Sequence, residues 1–208
     1  TKTEQTNTSI VFGNTFILKI VRQLDRGTSA ELDMGAFLTE HGHASSPSVV
    51  GALEIERRGE EAATVGVLHR FVANQGDAWT FTLQQLEASR APESFVARAE
   101  LLGKRVGEMH VVLASGTEPA FVVERLERSA RVALGVAVKN QARELSSVLS
   151  AGDEAKIAAR VDAFVGLAED PPIMRVHGDL HLGQILWTGS DFIIIDFEGE
   201  PSRSLAAR

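Results

Sequence analysis

Asp179 sits inside the run His177-Gly178-Asp179-Leu180-His181-Leu182-Gly183-Gln184, and Asp196 follows in Ile195-Asp196-Phe197-Glu198. An aspartate, an amide side chain five positions on and a second aspartate past a short hairpin stand in the order that phosphoryl transfer from a metal-bound nucleotide requires. One carboxylate orients the accepting hydroxyl and takes its proton late. An amide oxygen and the other carboxylate hold magnesium against the phosphates. Asp179 alone would fit an incidental polar turn. The whole arrangement is harder to explain that way.

Gln184 has the spacing of the metal-binding amide in a kinase catalytic loop, one methylene longer than asparagine. Asp196 ends the next strand, where a kinase carries the aspartate of D-F-G, and here the triplet reads Asp-Phe-Glu. Glu198 is either a second carboxylate near magnesium or a solvated side chain. A site of a few protein oxygens, waters and phosphate oxygens matches magnesium's habits. His177 reads as a structural group bonding the loop backbone. His181 could do the same, or touch substrate or phosphate. A zinc reading of His177, Asp179 and His181 leaves Gln184 and Asp196 unexplained.

Upstream, Lys19 lies in the apolar stretch Phe16-Ile17-Leu18-Lys19-Ile20-Val21. Alternation alone would put it in water. Beside the downstream motif it becomes the strand lysine that meets nucleotide phosphates and pairs with a helix carboxylate. The next helix offers Glu31 and Asp33, and the sequence does not choose between them. No glycine-rich loop precedes Lys19. Gln5-Thr6-Asn7-Thr8-Ser9 stands there instead, with hydroxyls, amides and backbone N–H groups that could cradle phosphates. The remaining polar groups read as structural. His41, His43 and His69 have no partners at ligand spacing, and His110 is packed or solvated. Glu124, Arg125, Glu127, Arg128 and Arg131 read as a solvated helix face.

The elements that must position these groups follow from pattern. Ser9–Phe12 and Thr15–Val21 read as strands joined by a two-residue Gly13-Asn14 turn. A helix over Ala30–Glu40 with a Thr28-Ser29 cap follows, then strands over Val49–Glu56 and Ala62–Val72. Asn74-Gln75-Gly76-Asp77 breaks the pattern, so residues 1–73 read as one lobe and 74–208 as a second, mainly helical one. That second lobe holds helices over 78–88 and 94–114, one or two over 122–149, and another over 154–168 capped by Asp153. The motif loop and the strands 185–187 and 192–195 complete it. The fold class is α+β.

The 208 residues carry a net charge of −7 and no cysteine. Disulfides, thiolate metal sites and a cysteine nucleophile are excluded. The acidic balance argues against a nucleic-acid partner. No apolar run reaches membrane-spanning length, and a cytoplasmic setting is expected. The polar start without methionine, and the stop soon after Asp196, lead to the expectation of a fragment at both ends.

The C-terminal motif resembles the aminoglycoside-phosphotransferase-like branch of the protein-kinase-like superfamily. Glu4 to Gly13 with Leu18-Lys19, Phe71 to Trp79, Leu102 to His110, and Asp196-Phe197-Glu198-Gly199-Glu200-Pro201 are similar to bacterial maltokinases, including those fused to trehalose synthase. Gln184 in place of asparagine is itself typical of that family. The resemblance implies a two-lobe kinase-like fold and ATP with Mg2+ as cofactors. It implies maltose as the small-molecule partner, phosphorylated at its anomeric hydroxyl in a route to α-glucan. Trehalose synthase is implied as a possible fusion or complex partner. By position it makes Asp179 the catalytic base and Gln184 and Asp196 the metal ligands. Lys19 becomes the phosphate-binding lysine, Asn7 to Ser9 the phosphate loop, and the segment after His69 the adenine-facing hinge. Arg203 is at most a candidate for substrate. Phosphoryl transfer to an aminoglycoside, choline or another small alcohol, and a nucleotide-binding pseudokinase, are the alternatives.

Overall fold

The computed structural model describes residues 7–21, 24, 26–56, 58–59, 61–88 and 92–199, and the side chains of these except 7, 88 and 92–95. Residues 5 and 6 of the expected phosphate loop, the side chain of Asn7, and Arg203 therefore lie outside the described residues.

In chain order the first elements are β1 (Asn7–Phe12), β2 (Phe16–Val21), α1 (Ala30–Glu40), β3 (Val49–Ile55), β4 (Ala63–Arg70), α2 (Ala78–Ala88) and α3 (Pro92–Leu113). Then come β5 (Glu124–Arg125), α4 (Arg128–Glu144), α5 (Ala151–Val165), β6 (Pro172–Ile173), a short 3-10 turn Leu182–Gln184, β7 (Ile185–Trp187) and β8 (Phe192–Ile194). The expected α+β composition holds. The chain divides into two compact units, one running to residue 113 and resuming at 176, the other covering 114–175. The boundary expected after residue 73 falls inside the first.

In the first unit β1, β2, β4 and β3 form an antiparallel sheet in that order. Phe12 pairs with Phe16, so the turn between β1 and β2 has three residues rather than the expected two. Gly13 takes φ +57°, and Thr15 N donates to Phe12 O at 3.2 Å. A left-handed glycine gives a hairpin room for the third turn residue. Lys19 stands opposite Val67, and Ile17 opposite His69, which also pairs with Val49. The two-residue period of strands therefore sets Ile17, Lys19, Val67 and His69 on one face.

Against this sheet lies α1, capped by Ser29, whose hydroxyl accepts from Leu32 N at 3.2 Å. The expected cap pair thus resolves to its second member. Met34, Phe37 and Leu38 form the helix's buried face. Gly35 permits the approach: a Cβ there would stand 2.8 Å from Val49 Cγ2. Further along, β7 and β8 form a hairpin whose Ile185, Trp187 and Phe192 are buried with Ala78 of α2. Phe81 stacks on Trp187 at 4.6 Å between centroids. Arg105 of α3 grips Asp191 in the hairpin turn through two bonds of 2.8 and 2.7 Å.

In the second unit the expected helix over 122–149 is shorter. Glu124–Arg125 instead pairs with Pro172–Ile173 as β5 and β6, and α4 runs from Arg128 to Glu144. Two residues are too few to show strand alternation in sequence. Ser150, rather than Asp153, caps α5, accepting from Asp153 N at 3.2 Å. A Cβ on Gly135 would come within 2.9 Å of both Val161 and Val165, so this glycine lets α4 and α5 meet closely. Arg131 is not solvated as expected: it is 2% exposed, donating to Leu167 O at 3.0 Å and to Asp170 Oδ1 at 2.7 Å. Among the described residues no helix is long and apolar enough to cross a membrane.

Candidate active site

The first unit brings a lysine and two carboxylates from distant segments together. Lys19 Nζ donates to Glu31 Oε1 and to Asp196 Oδ1, each at 2.9 Å. Glu31 comes from the first turn of α1, which settles the choice the sequence left open. Asp33, two positions on, lies on a different face of the helix. Glu31 Oε2 accepts from Phe197 N at 2.6 Å, and His69 Nε2 stands 2.9 Å from Oε1. Burial would raise the Glu31 pKa, but the charge of Lys19 and the nearby His69 outweigh it and bring the group from 4.5 to about 2. Burial works against the Lys19 ammonium too, yet Glu31 and Asp196 lift its pKa above the ordinary range. Both groups are ionised at neutral pH, held by each other in a place where either alone would be costly.

A hairpin and a histidine set the motif loop beside this centre. Ile185 pairs with Ile194, so the next pair outward, Gln184 and Ile195, stands at the hairpin's open end, and Ile195 N donates to Gln184 O at 2.9 Å. The carbonyl of the same Ile195 accepts from His177 Nε2 at 2.9 Å. The imidazole donates here because a carbonyl can only accept. Burial pushes the His177 pKa below its usual range, which keeps the ring neutral. Its ring packs at 5.1 Å from that of Phe197, itself buried. His181 Nδ1 accepts from Gly183 N at 3.0 Å and so opens the 3-10 turn. The loop carrying half-buried Asp179 is thus fixed on both sides, by His177 before it and by the turn after it. Asp196 adopts φ +70°, a left-handed conformation that aspartate and asparagine tolerate better than most residues.

Glu31, Asp196 and Glu198 each offer an oxygen within 4.8 Å of the others. Glu31 is engaged through both oxygens, by Lys19 and by the Phe197 N–H, while Asp196 accepts from Lys19 through Oδ1. Hard oxygen donors of this kind fit magnesium better than a softer ion. Thr8 and Ser9 are strand residues of β1 rather than a loop, because the β1–β2 pairing continues to Asn7 and Val21. Ser9 stands opposite Lys19.

Next to the charged centre is a cavity of ≈ 80 Å³ lined by Lys19, Glu31, His69, Val72, Leu186 and Phe197 among others. Arg70, Phe71 and Asn74 border it as well, so the segment after His69 forms one edge. That segment is tied to its surroundings: Phe71 N donates to Thr15 O at 2.9 Å, and Gln75 N to Trp187 O at 2.7 Å. The sequence reading missed His69, since its partner Glu31 lies far away in the chain. Its place two residues beyond the partner of Lys19 was the available signal.

The model of the phosphotransferase enzyme family matches residues 4–199. A glucosamine kinase from Mycolicibacterium smegmatis is 27% identical over 99% of this chain and 52% of its own length. One from Streptacidiphilus jiangxiensis is 26% identical over 95% of this chain and 47% of its own. The chain spans about half the length of these curated relatives. Among solved structures, a glucosamine kinase superposes with a TM-score of 0.76 at 22% identity, covering 96% of this chain and 48% of that one. Another, in complex with glucosamine, ADP and inorganic phosphate, gives 0.74 at 19% identity over 96% and 50%. The fold is therefore kinase-like, and the chain belongs to the phosphotransferase enzyme family.

Proposed function

We propose that this member of the phosphotransferase enzyme family carries the nucleotide-binding and phosphoryl-transfer machinery of an ATP-dependent sugar kinase. The observation that carries the reading is Lys19, set between Glu31 and Asp196 beside a cavity edged by Arg70, Phe71, Val72 and Asn74. We retain residues 1–73 and 74–208 as the two lobes of that machinery.

Lys19 would hold the α- and β-phosphates, its charge kept in place by Glu31. Thr8 and Ser9 would approach the phosphates from β1. Gln184 and Asp196, with Glu198, would hold magnesium, which when bound neutralises charge on the transferring phosphate. Asp179 would orient the acceptor hydroxyl and take its proton as its oxygen bonds to the γ-phosphorus and the bond from that phosphorus to the departing ADP breaks. His177 would position this loop through Ile195. Neutral and buried, it is badly suited to carry charge itself.

The acceptor is the finer question. Glucosamine is the sugar named for the relatives in the comparisons, and maltose is the one implied by the motif resemblance, including Gln184. A covalent or non-covalent link to trehalose synthase belongs to the maltose reading alone. The test is phosphate transfer by the full chain with ATP, magnesium and a panel of glucosamine, maltose, choline and an aminoglycoside. Transfer to one of the two sugars is expected, with a loss of about 10²- to 10⁴-fold in Asp179→Asn. Nucleotide binding without transfer to any acceptor would replace the kinase with a binding module.

A further inference from the structure

We propose that His69 is a positioning residue that holds the Glu31 carboxylate in the orientation that keeps Lys19 available to the nucleotide. The inference rests on the kinase reading above and adds to it a residue outside the motif loop, the strand lysine and its helix partner.

His69 is 3% exposed and lies on the sheet face of Lys19. Its Nε2 is 2.9 Å from the same Glu31 oxygen that accepts from Lys19. The approach is short but not aligned as a hydrogen bond, and both ring nitrogens are buried without one. A buried imidazole with unsatisfied nitrogens is unfavourable, and an apolar side chain at this place would avoid that cost. The ring therefore makes most sense for what it does to Glu31. One carboxylate oxygen is shared by Lys19 and His69, and the other takes the Phe197 N–H. Without His69, the shared oxygen loses the neighbour that fixes its side of the carboxylate, and rotation of Glu31 would draw Lys19 away from the cavity.

Helix α1 passes close beside this ring. Gly35 follows Glu31 by one turn, on the same face. A Cβ there would meet His69 Cε1 at 3.7 Å, an ordinary van der Waals contact, and would crowd Val49 Cγ2 at 2.8 Å. The ring is thus lodged between the carboxylate and a residue with no side chain. It also lines the cavity and directly precedes the segment that edges it. His69 accordingly ties the helix carrying Glu31 to the strand leading into that edge.

The test compares His69→Gln, which keeps a donor, with His69→Leu, which keeps bulk and loses it, alone and with Glu31→Gln, measuring MgADP affinity and the acylation rate of Lys19 on the full chain. His69→Leu should weaken MgADP about fivefold, the scale of a short polar contact to a charged group rather than a full hydrogen bond, while His69→Gln stays within about twofold. In the Glu31→Gln background His69→Leu should add almost nothing, since a residue acting through another has no effect once that other is gone. Equal losses in the Gln and Leu variants, or a full loss persisting in Glu31→Gln, would overturn the proposal and leave His69 as packing. Lys19 acylation should fall in His69→Leu and not in His69→Gln. That readout needs no nucleotide, so a chain that fails to bind MgADP sinks the kinase reading while the proposal still stands or falls on Lys19.

Discussion

Lys19 and Arg131 are both cations set largely out of water, with 15% and 2% of their side chains exposed. They face different things. Arg131 spends its guanidinium on Leu167 O and Asp170, which tie α4 to the chain beyond α5. Lys19 is held by two carboxylates from different segments and still borders a cavity. Burial of a charge therefore does not mark a functional site. A charge over-supplied with partners and left one open side is the stronger candidate for one. Arg131 closes a local structure, whereas on the proposed reading Lys19 would exchange Asp196 for a nucleotide phosphate.

Crossed substitutions would break this contrast if it is wrong. The largest effect is expected from Lys19→Met: a loss of about 10²- to 10³-fold in turnover, the scale of removing one charge-stabilising donor. Asp170→Ala should do the opposite, lowering unfolding free energy by about 3 kcal/mol by stranding Arg131, with MgADP affinity unchanged. Arg131→Met should cost less than Asp170→Ala, because it removes the buried charge and leaves only a half-exposed carboxylate. Denaturant titration beside nucleotide binding reads all three. If Asp170→Ala weakened the nucleotide as much as Lys19→Met does, the division into structural and functional cations would fall.

Smaller changes sharpen the Lys19 side. Gly35→Ala should destabilise by about 1 to 3 kcal/mol, since its new methyl meets Val49. Acid gives the most specific signal. The Glu31 pKa lies below its ordinary 4.5 in the folded chain, near about 2. The unfolded chain therefore binds the proton first as pH falls. The stability Glu31 contributes is fully present above pH 4.5 and is lost between there and about 2. Glu31→Gln should flatten the fall of unfolding free energy over that window. An unchanged slope would mean that the carboxylate is not held by Lys19 as described.

The parts of the candidate site that can be named from sequence are those fixed by short spacing. Asp179, Gln184 and Asp196 lie within one loop and hairpin, and the run of Phe, Ile and Val around Lys19 marked a strand. The choice of Glu31 over Asp33 needed the register of α1 on the sheet, which no local pattern encodes. His69 was invisible because its meaning depends on Glu31, distant in the chain and brought near by the packing of α1 on the sheet. Arg131 was misread for a similar reason: a charged helical position looks solvated until its tertiary partner is known. The β5–β6 pairing was lost to brevity, and the turn after β1 to a close competition between two- and three-residue hairpins that one glycine permits.

Asp196, with its left-handed backbone, narrows the paths by which such a protein can lose its chemistry. A β-branched residue there would be refused by the backbone before any question of metal arose. Asparagine would be accepted, since it shares aspartate's tolerance of that conformation, and would arrive without the negative charge. The route from transferase to silent nucleotide binder is thus structurally cheap at this position in one direction only. Descendants that keep the fold and abandon the reaction should carry asparagine at 196 more often than any other newcomer.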